Sequence, residues 1–328
     1  EDVGYMARAA FVVDRLMGRI GLEGRSFVSL LSSYACAVPG IMATRTIPSP
    51  RQRLITLLVS PLMTCSARLP VYALLIGAFV PATTVWGFLG LQGLVLLGLY
   101  TLGALAALAA ASLLSRGLGR GDALPFYLEL PPYRVPPVRL VASQVWGAAR
   151  AFLRRAGTII LGVSIALWFL LSFPRVEPPP GLTRAEAASF ALERSAAGHI
   201  GHALEPAIAP LGFDWKIGVG LVASLAAREV IVATLAQIYA ATDGDAGSLR
   251  QAIRADRDPR TGRPVFTPAA VASLLVFFVF ALQCMSTLAI MRRETNSWRW
   301  PAFAFGYLLA LAWGASFVTH RIVNALAG

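Results

Sequence analysis

The longest apolar stretches of this chain are unbroken runs rather than alternations. No Asp, Glu, Lys or Arg occurs between Arg68 and Arg116, between Arg155 and Arg175, between Arg263 and Arg292, or between Arg299 and Arg321. A helix needs roughly 20 mostly apolar residues to cross a bilayer, so the first run holds one span and part of another. Two further segments, 55–81 and 215–239, are apolar but interrupted, by Pro61 and Pro70 in the first and by Arg228-Glu229 in the second. Together these runs predict an all-α, polytopic integral membrane protein with about six or seven membrane-embedded helices.

The polar residues between the runs suggest how the chain is organised. Residues 1–81 read as a first repeat-like unit: a helix end at the interface, a Gly-rich turn, a segment broken at Pro39 and Gly40, and then SPLMTCSARLP. Residues 82–173 hold a plain Leu/Ala/Gly-rich span, a basic loop at 115–155 and a second crossing. The excess of Arg over Asp and Glu in that loop marks it as cytoplasmic. The segment 174–214 balances its charges and is expected outside. Residues 215–328 form a second unit that carries a charged insert, 241–267, expected to be a flexible loop. Three simple crossings after the basic loop would place Arg292-Arg293 outside, against the charge rule. A broken or re-entrant segment at Arg228-Glu229 resolves that conflict, because ionisable residues at membrane depth face a cavity or each other.

The two units echo one another. Ala7-Arg8 matches Ala227-Arg228, and Cys36 with Ile41-Met42 and Thr46 matches Cys284 with Ile290-Met291 and Thr295. Paired, interrupted apolar segments in two halves are what repeat-built transporters show, with the substrate site where the broken helices meet.

Composition narrows the classes further. The chain is 56% hydrophobic and 14% charged, outside the range of soluble domains. Its net charge of +12 comes almost wholly from arginine, Lys216 being the only lysine. Those arginines sit in short loops beside apolar spans, where positive-inside bias and anionic lipid account for them, so nucleic acid is not expected as a partner. Three cysteines in or beside apolar segments argue against a disulfide framework. No G-x-x-x-x-G-K-[ST] loop occurs. Glu1-Asp2-Val3-Gly4-Tyr5 has neither an initiator Met nor a basic leader, and the chain reads as part of something longer.

The candidate chemistry lies at the breaks. Cys36 precedes Pro39, Cys65 stands between Thr64 and Ser66, and Cys284 follows Gln283. A lone cysteine in a membrane helix is most simply a packing residue. Three of them at helix breaks, with freed carbonyls, hydroxyls and the thioethers of Met42 and Met63 nearby, make a donor set for a borderline-soft divalent ion. Pro61 and Pro70 each remove a backbone donor. Arg68 either snorkels to the interface or serves gating and packing. Glu229 either binds a cation or relays protons, or forms a structural pair with Arg228. His199, His202 and His320 lie in loops or at a helix end.

The wording of EDVGYMARAAFVVDRLMGRIGL, CAVPGIMATRT, SPLMTCSARLPVYALLIGAFVP, LAAREVIVATLAQIY and RRETNSWRW closely resembles the membrane domain of the ferrous iron transport protein B family. The resemblance runs in order from the first residue to about Phe317 and includes two gate-type repeats. It implies a bacterial inner-membrane, multi-pass permease importing ferrous iron as its transported substrate, and a transporter rather than an enzyme in this part of the protein. GTP and Mg2+ would act only through a cytoplasmic GTPase domain outside this sequence, joined in cis or in trans. The lipid bilayer, that GTPase domain and ferrous iron are the implied partners, and the resemblance admits small accessory Feo proteins and a homo-oligomer.

Residue by residue, the family's three membrane cysteines correspond to Cys36, Cys65 and Cys284. The chain departs from the family pattern at Ala37, where an Asn is usual, and at Gln283, where a Pro is usual. One change removes an oxygen donor and the other adds one. Two other readings remain open: a gate-repeat permease for another divalent metal or a nucleoside-like solute, and a membrane-embedded thiol redox protein. The absence of C-x-x-C means the latter would need its cysteines paired by the fold.

Overall fold

The computed structural model describes residues 5–85, 89–117, 137–174, 190–191, 193–225, 228–239, 246–257, 262, 264–281 and 284–327. Gln283 and residues 118–136 of the basic segment lie outside them. The described residues are overwhelmingly helical, with one hairpin pairing Thr84–Val85 against Leu89–Gly90. The all-α membrane architecture expected from the sequence is the one found. Segments 50–79, 91–117, 268–295 and 299–326 are long and apolar enough to cross a bilayer.

Local sequence sets several helix starts. Ser49, Ser195, Asp214 and Thr267 each stand just before a helix and accept the backbone N–H three residues on, at 3.4, 3.1, 2.9 and 3.1 Å. These are the residue types that satisfy the orphan donors of a first turn, and Pro50 and Pro268 follow two of them where a missing N–H costs nothing.

The chain divides into two compact units. The first comprises residues 1–66, 102–161 and 286–305 and the second residues 67–101, 162–285 and 306–328. In the first, Tyr5–Arg19 packs on Gly24–Ala35, which packs on Ala37–Ala43. Glycines permit both approaches: a Cβ on Gly24 would lie 2.2 Å from the Ala10 carbonyl oxygen, and one on Gly40 would lie 1.9 Å from Ser33 Oγ. The Gly24 N–H also donates to Asp14 Oδ1 at 2.7 Å, tying the turn. In the second unit, Leu69–Phe79 packs against Ala246–Ala255 and Pro268–Phe280, and Phe79 stacks on Phe266 at 5.7 Å. Ser273 and Ser316 exchange hydroxyl-to-carbonyl hydrogen bonds of 3.2 and 3.0 Å.

Three stretches expected as loops are partly helical, and within 174–214 the helix is Ala196–Ile208. Val138–Ser172 is one 35-residue helix, so the part of the basic loop from Val138 to Arg155 is its first half. Arg is a good helix former and no proline interrupts this stretch, so charge alone misplaces the boundary. Within the insert, Ala246–Ala255 is a helix that buries Leu249 and Ile253, four residues apart on one face.

Candidate functional site

Each unit contains helix interruptions, and the sequence-predicted cysteines sit at them. In the first unit Cys36 is simultaneously the end of Gly24–Ala35 and the start of Ala37–Ala43, in extended conformation with φ −160° and ψ 139°. Its N–H reaches Ser32 O at 3.3 Å, and its own carbonyl accepts from Gly40 N at 3.3 Å. Pro39 has no N–H to give, which makes this position the natural place for the helix to break. The second interruption begins after Pro50–Val59 with the 3-10 turn Ser60–Leu62, continues through Met63, Thr64 and Cys65, and ends with the turn Ser66–Arg68. Pro61, Met63, Thr64 and Cys65 are buried, Cys65 at 5% exposure.

The two interruptions touch. Ser66 Oγ donates to the carbonyl of Ala35 at 2.9 Å, so the residue after one cysteine holds the residue before the other. Cys36 and Met42 remain partly accessible beside them. Arg68 is fully buried, so its charge is held by protein and does not snorkel to an interface.

The second unit repeats the scheme with different atoms. Trp215–Ser224 ends, Leu225, Arg228 and Glu229 lie in turns, and Val230–Ile238 begins. Pro268–Phe280 ends at Ala281, and a new helix begins at Met285 directly after the half-buried Cys284. Arg228, 3% exposed, donates through Nη1 to Phe278 O at 3.0 Å and through Nη2 to Ala281 O. The Met285 N–H in turn donates to Leu225 O at 3.0 Å. A guanidinium thus satisfies carbonyls that a broken helix leaves without intrahelical donors. Glu229, beside it, is exposed.

Three features were not anticipated from the sequence. Glu294, its side chain 3% exposed, binds Arg45 at 2.5 Å and Arg53 at 2.8 Å within the first unit. A buried row of hydroxyls, Ser26, Ser29 and Ser33, faces Thr56 and Ser60, with Thr56 Oγ1 donating to Ser26 Oγ at 2.9 Å. The 26, 29, 33 spacing is one helical face and was legible. In the second unit Lys216 binds both Asp256 oxygens at 2.9 and 3.0 Å, and Tyr239 donates to Asp256 Oδ2 at 2.5 Å. Asp214 lies near this group. Burial pushes its carboxyl up to about 6, with the Ile217 N–H and Lys216 pulling the other way.

Among the described residues no group of three or more His, Cys, Asp or Glu is placed to hold a metal ion. What the geometry provides instead is a pair of contacting helix breaks in each unit, with cysteines at Cys36, Cys65 and Cys284 and backbone carbonyls beside them.

Such paired broken helices define a gate-type membrane domain. Residues 1–79 and 153–298 match the gate family described as nucleoside recognition, and residues 96–147 match the ferrous iron transport protein B C terminus. The chain belongs to the ferrous iron transport protein B family, whose gate-containing membrane part it represents. It is 47% identical over 325 residues to the Fe(2+) transporter FeoB of Leptospira interrogans, covering 98% of this chain and 46% of that protein. The fusion of Fe(2+) transport protein A with Fe(2+) transporter FeoB from Porphyromonas gingivalis is 42% identical over 350 residues, covering 98% and 40%. The Staphylococcus aureus Fe(2+) transporter FeoB is 38% identical over 323 residues, covering 98% and 44%. The chain spans about half the length of the curated relatives it matches. No solved structure matches it.

Proposed function

We propose that this chain forms the permeation part of a ferrous iron importer in a bacterial inner membrane, crossing it several times. The observation that carries the reading is the hydrogen bond from Ser66 Oγ to Ala35 O, which brings the breaks at Cys36 and Cys65 together. Ferrous iron accepts mixed sulfur and oxygen ligation, and Cys36, Cys65 and Met63 with the Thr64 hydroxyl and backbone carbonyls supply both. Cys284, with Arg228 holding its break, supplies the equivalent group in the second repeat, and Gln283 adds an amide oxygen. A transport site must release its ion, so one or two thiols among oxygens hold it weakly enough to pass on. The relatives named as Fe(2+) transporters support iron as the cargo over another solute.

Import is driven through a cytoplasmic GTPase domain, in cis or in trans, that carries the GTP and Mg2+ chemistry. A small accessory protein joins it, as the fused Porphyromonas relative suggests.

The test is uptake of radioactive ferrous iron by cells lacking other iron importers and carrying the full-length protein. Cys65→Ser cuts uptake severely at near-normal membrane expression, and Cys65→Ala does so at least as strongly. Wild-type uptake in the alanine variant would reduce Cys65 to a packing residue.

A further inference from the structure

The helix Ala246–Ala255 sends two arginines, one turn apart, to Leu69–Phe79, and their circumstances differ. Arg254 Nε donates to Ala78 O, a carbonyl of the last turn, where a cation meets the negative end of the helix dipole. Its role is structural and complete. Arg250 lies over Gly77, where a Cβ would fall 2.9 Å from both its Cζ and Nη2, so the missing side chain is what seats the guanidinium. Its hydrogen bond to Ala73 O is long, at 3.4 Å, and its Nε is buried without a partner. Among the described residues no carboxylate pairs with it.

That guanidinium walls one end of an open cleft of about 430 Å³, otherwise lined mainly by apolar and small residues, among them Leu69, Tyr72, Ile76, Gly93 and Leu96. Gly77 stands near the end of one apolar segment at Phe79 and Gly93 near the start of the next at Leu91, with the hairpin between them. Both candidate spans, 50–79 and 91–117, have an end here, which is where a membrane–water boundary falls if they cross. From Gly77 to Leu69 the helix runs about 12 Å in the other direction, into the apolar layer. The cleft therefore offers a positive head position at the boundary and an apolar trough below it.

We propose that this cleft holds an anionic phospholipid of the surrounding bilayer, its phosphate on Arg250 and one acyl chain along Leu69, Tyr72, Ile76 and Leu96. The charge complementarity is specific: a guanidinium that no carboxylate neutralises, at headgroup depth, attracts anionic lipid over neutral lipid. A free phosphate uses the guanidinium but leaves the trough empty. The site does not depend on which solute the protein carries.

The full-length protein, purified in mild detergent, is incubated with equal amounts of phosphatidylglycerol and phosphatidylcholine and examined by native mass spectrometry. Phosphatidylglycerol is retained preferentially, and excess inorganic phosphate does not displace it. Arg250→Gln lowers that preference about fivefold. Gly93→Leu lowers retention of both lipids by filling the trough; a Cβ at Gly93 meets nothing within 4 Å, so this variant folds even if the arginine variant does not. Equal retention of the two lipids, displacement by inorganic phosphate, or unchanged retention in Gly93→Leu overturns the proposal.

Discussion

Arg45 and Glu294 occupy corresponding places in two copies of one short motif, and they bind each other. Ile41-Met42-Ala43-Thr44-Arg45-Thr46 in the first copy aligns with Ile290-Met291-Arg292-Arg293-Glu294-Thr295 in the second. Both terminal threonines donate their hydroxyl to a carbonyl at 2.8 Å, Thr46 to Ala43 and Thr295 to Met291. Equivalent positions of the two motif copies thus meet in the fold. Opposite charges at that shared position turn a self-contact, which like residues would make neutral or repulsive, into an ion pair.

Glu294 is the partner that matters most to stability. Its side chain is 3% exposed, whereas Arg45 is 49% and Arg53 33% exposed and both can fall back on water. Replacing Glu294 by Gln removes charge-assisted hydrogen bonds to two arginines and costs about 1–3 kcal/mol. Arg45→Gln leaves Arg53 in place and costs about 1 kcal/mol or less. In thermal unfolding of the full-length protein in detergent, the midpoint falls further for Glu294→Gln than for Arg45→Gln, and the double variant is no worse than Glu294→Gln alone. Additive losses in the double variant would mean that the pair is not coupled.

Asp214 gives a pH-dependent signature. Its carboxyl is raised to about 6, chiefly by burial, so the folded state holds this proton more tightly than the unfolded chain does. The cost of ionising it in the folded state is absent below about pH 4, grows between about pH 4 and 6, and is complete above that, at about 3 kcal/mol. Asn caps a helix as well as Asp and carries no charge, so Asp214→Asn keeps the bond to the Ile217 N–H without that cost. The variant unfolds at a higher temperature than wild type at pH 7.5 and at the same temperature at pH 4. An equal difference at both pH values would assign the effect to packing.

The long apolar runs announced the membrane architecture because desolvation over a bilayer's thickness demands them, and the prolines and cysteines at 36, 39, 61 and 65 announced the breaks. Helix ends at Ser49, Asp214 and Thr267 were likewise local matters of capping. What stayed hidden depends on pairing at long range. Nothing near Glu294 in the sequence names Arg45 as its partner, and the echo between their motifs supplied the alignment without the contact. Arg250 and Arg254 read as members of a charged loop because their acceptors, the carbonyls of Ala73 and Ala78, are backbone atoms that no sequence pattern marks. Arg228 was legible as an unusual charge in an apolar segment, but its role as donor to Phe278 and Ala281 required the fold.

That role yields the last prediction. Arg228 spans two carbonyls with one planar fork, and Lys, a single point donor on a flexible stem, cannot reach both in that geometry. In Arg228→Lys one carbonyl near the end of Pro268–Phe280 is left buried without a donor, at a cost of about 1–3 kcal/mol. The loss is local, because the carbonyls it strands belong to the break that leads into Cys284, whereas the break at Cys36 is held by Ser66. Cys284 therefore reacts faster with a small membrane-permeant maleimide in Arg228→Lys than in wild type, while Cys36 reacts at its wild-type rate, and the unfolding midpoint falls. Both thiols start from a half-buried state, so each serves as the reference for the other. If the two cysteines accelerate together, the substitution has loosened the whole protein and Arg228 is a general packing residue; if neither changes, its hydrogen bonds to Phe278 and Ala281 do not hold the break.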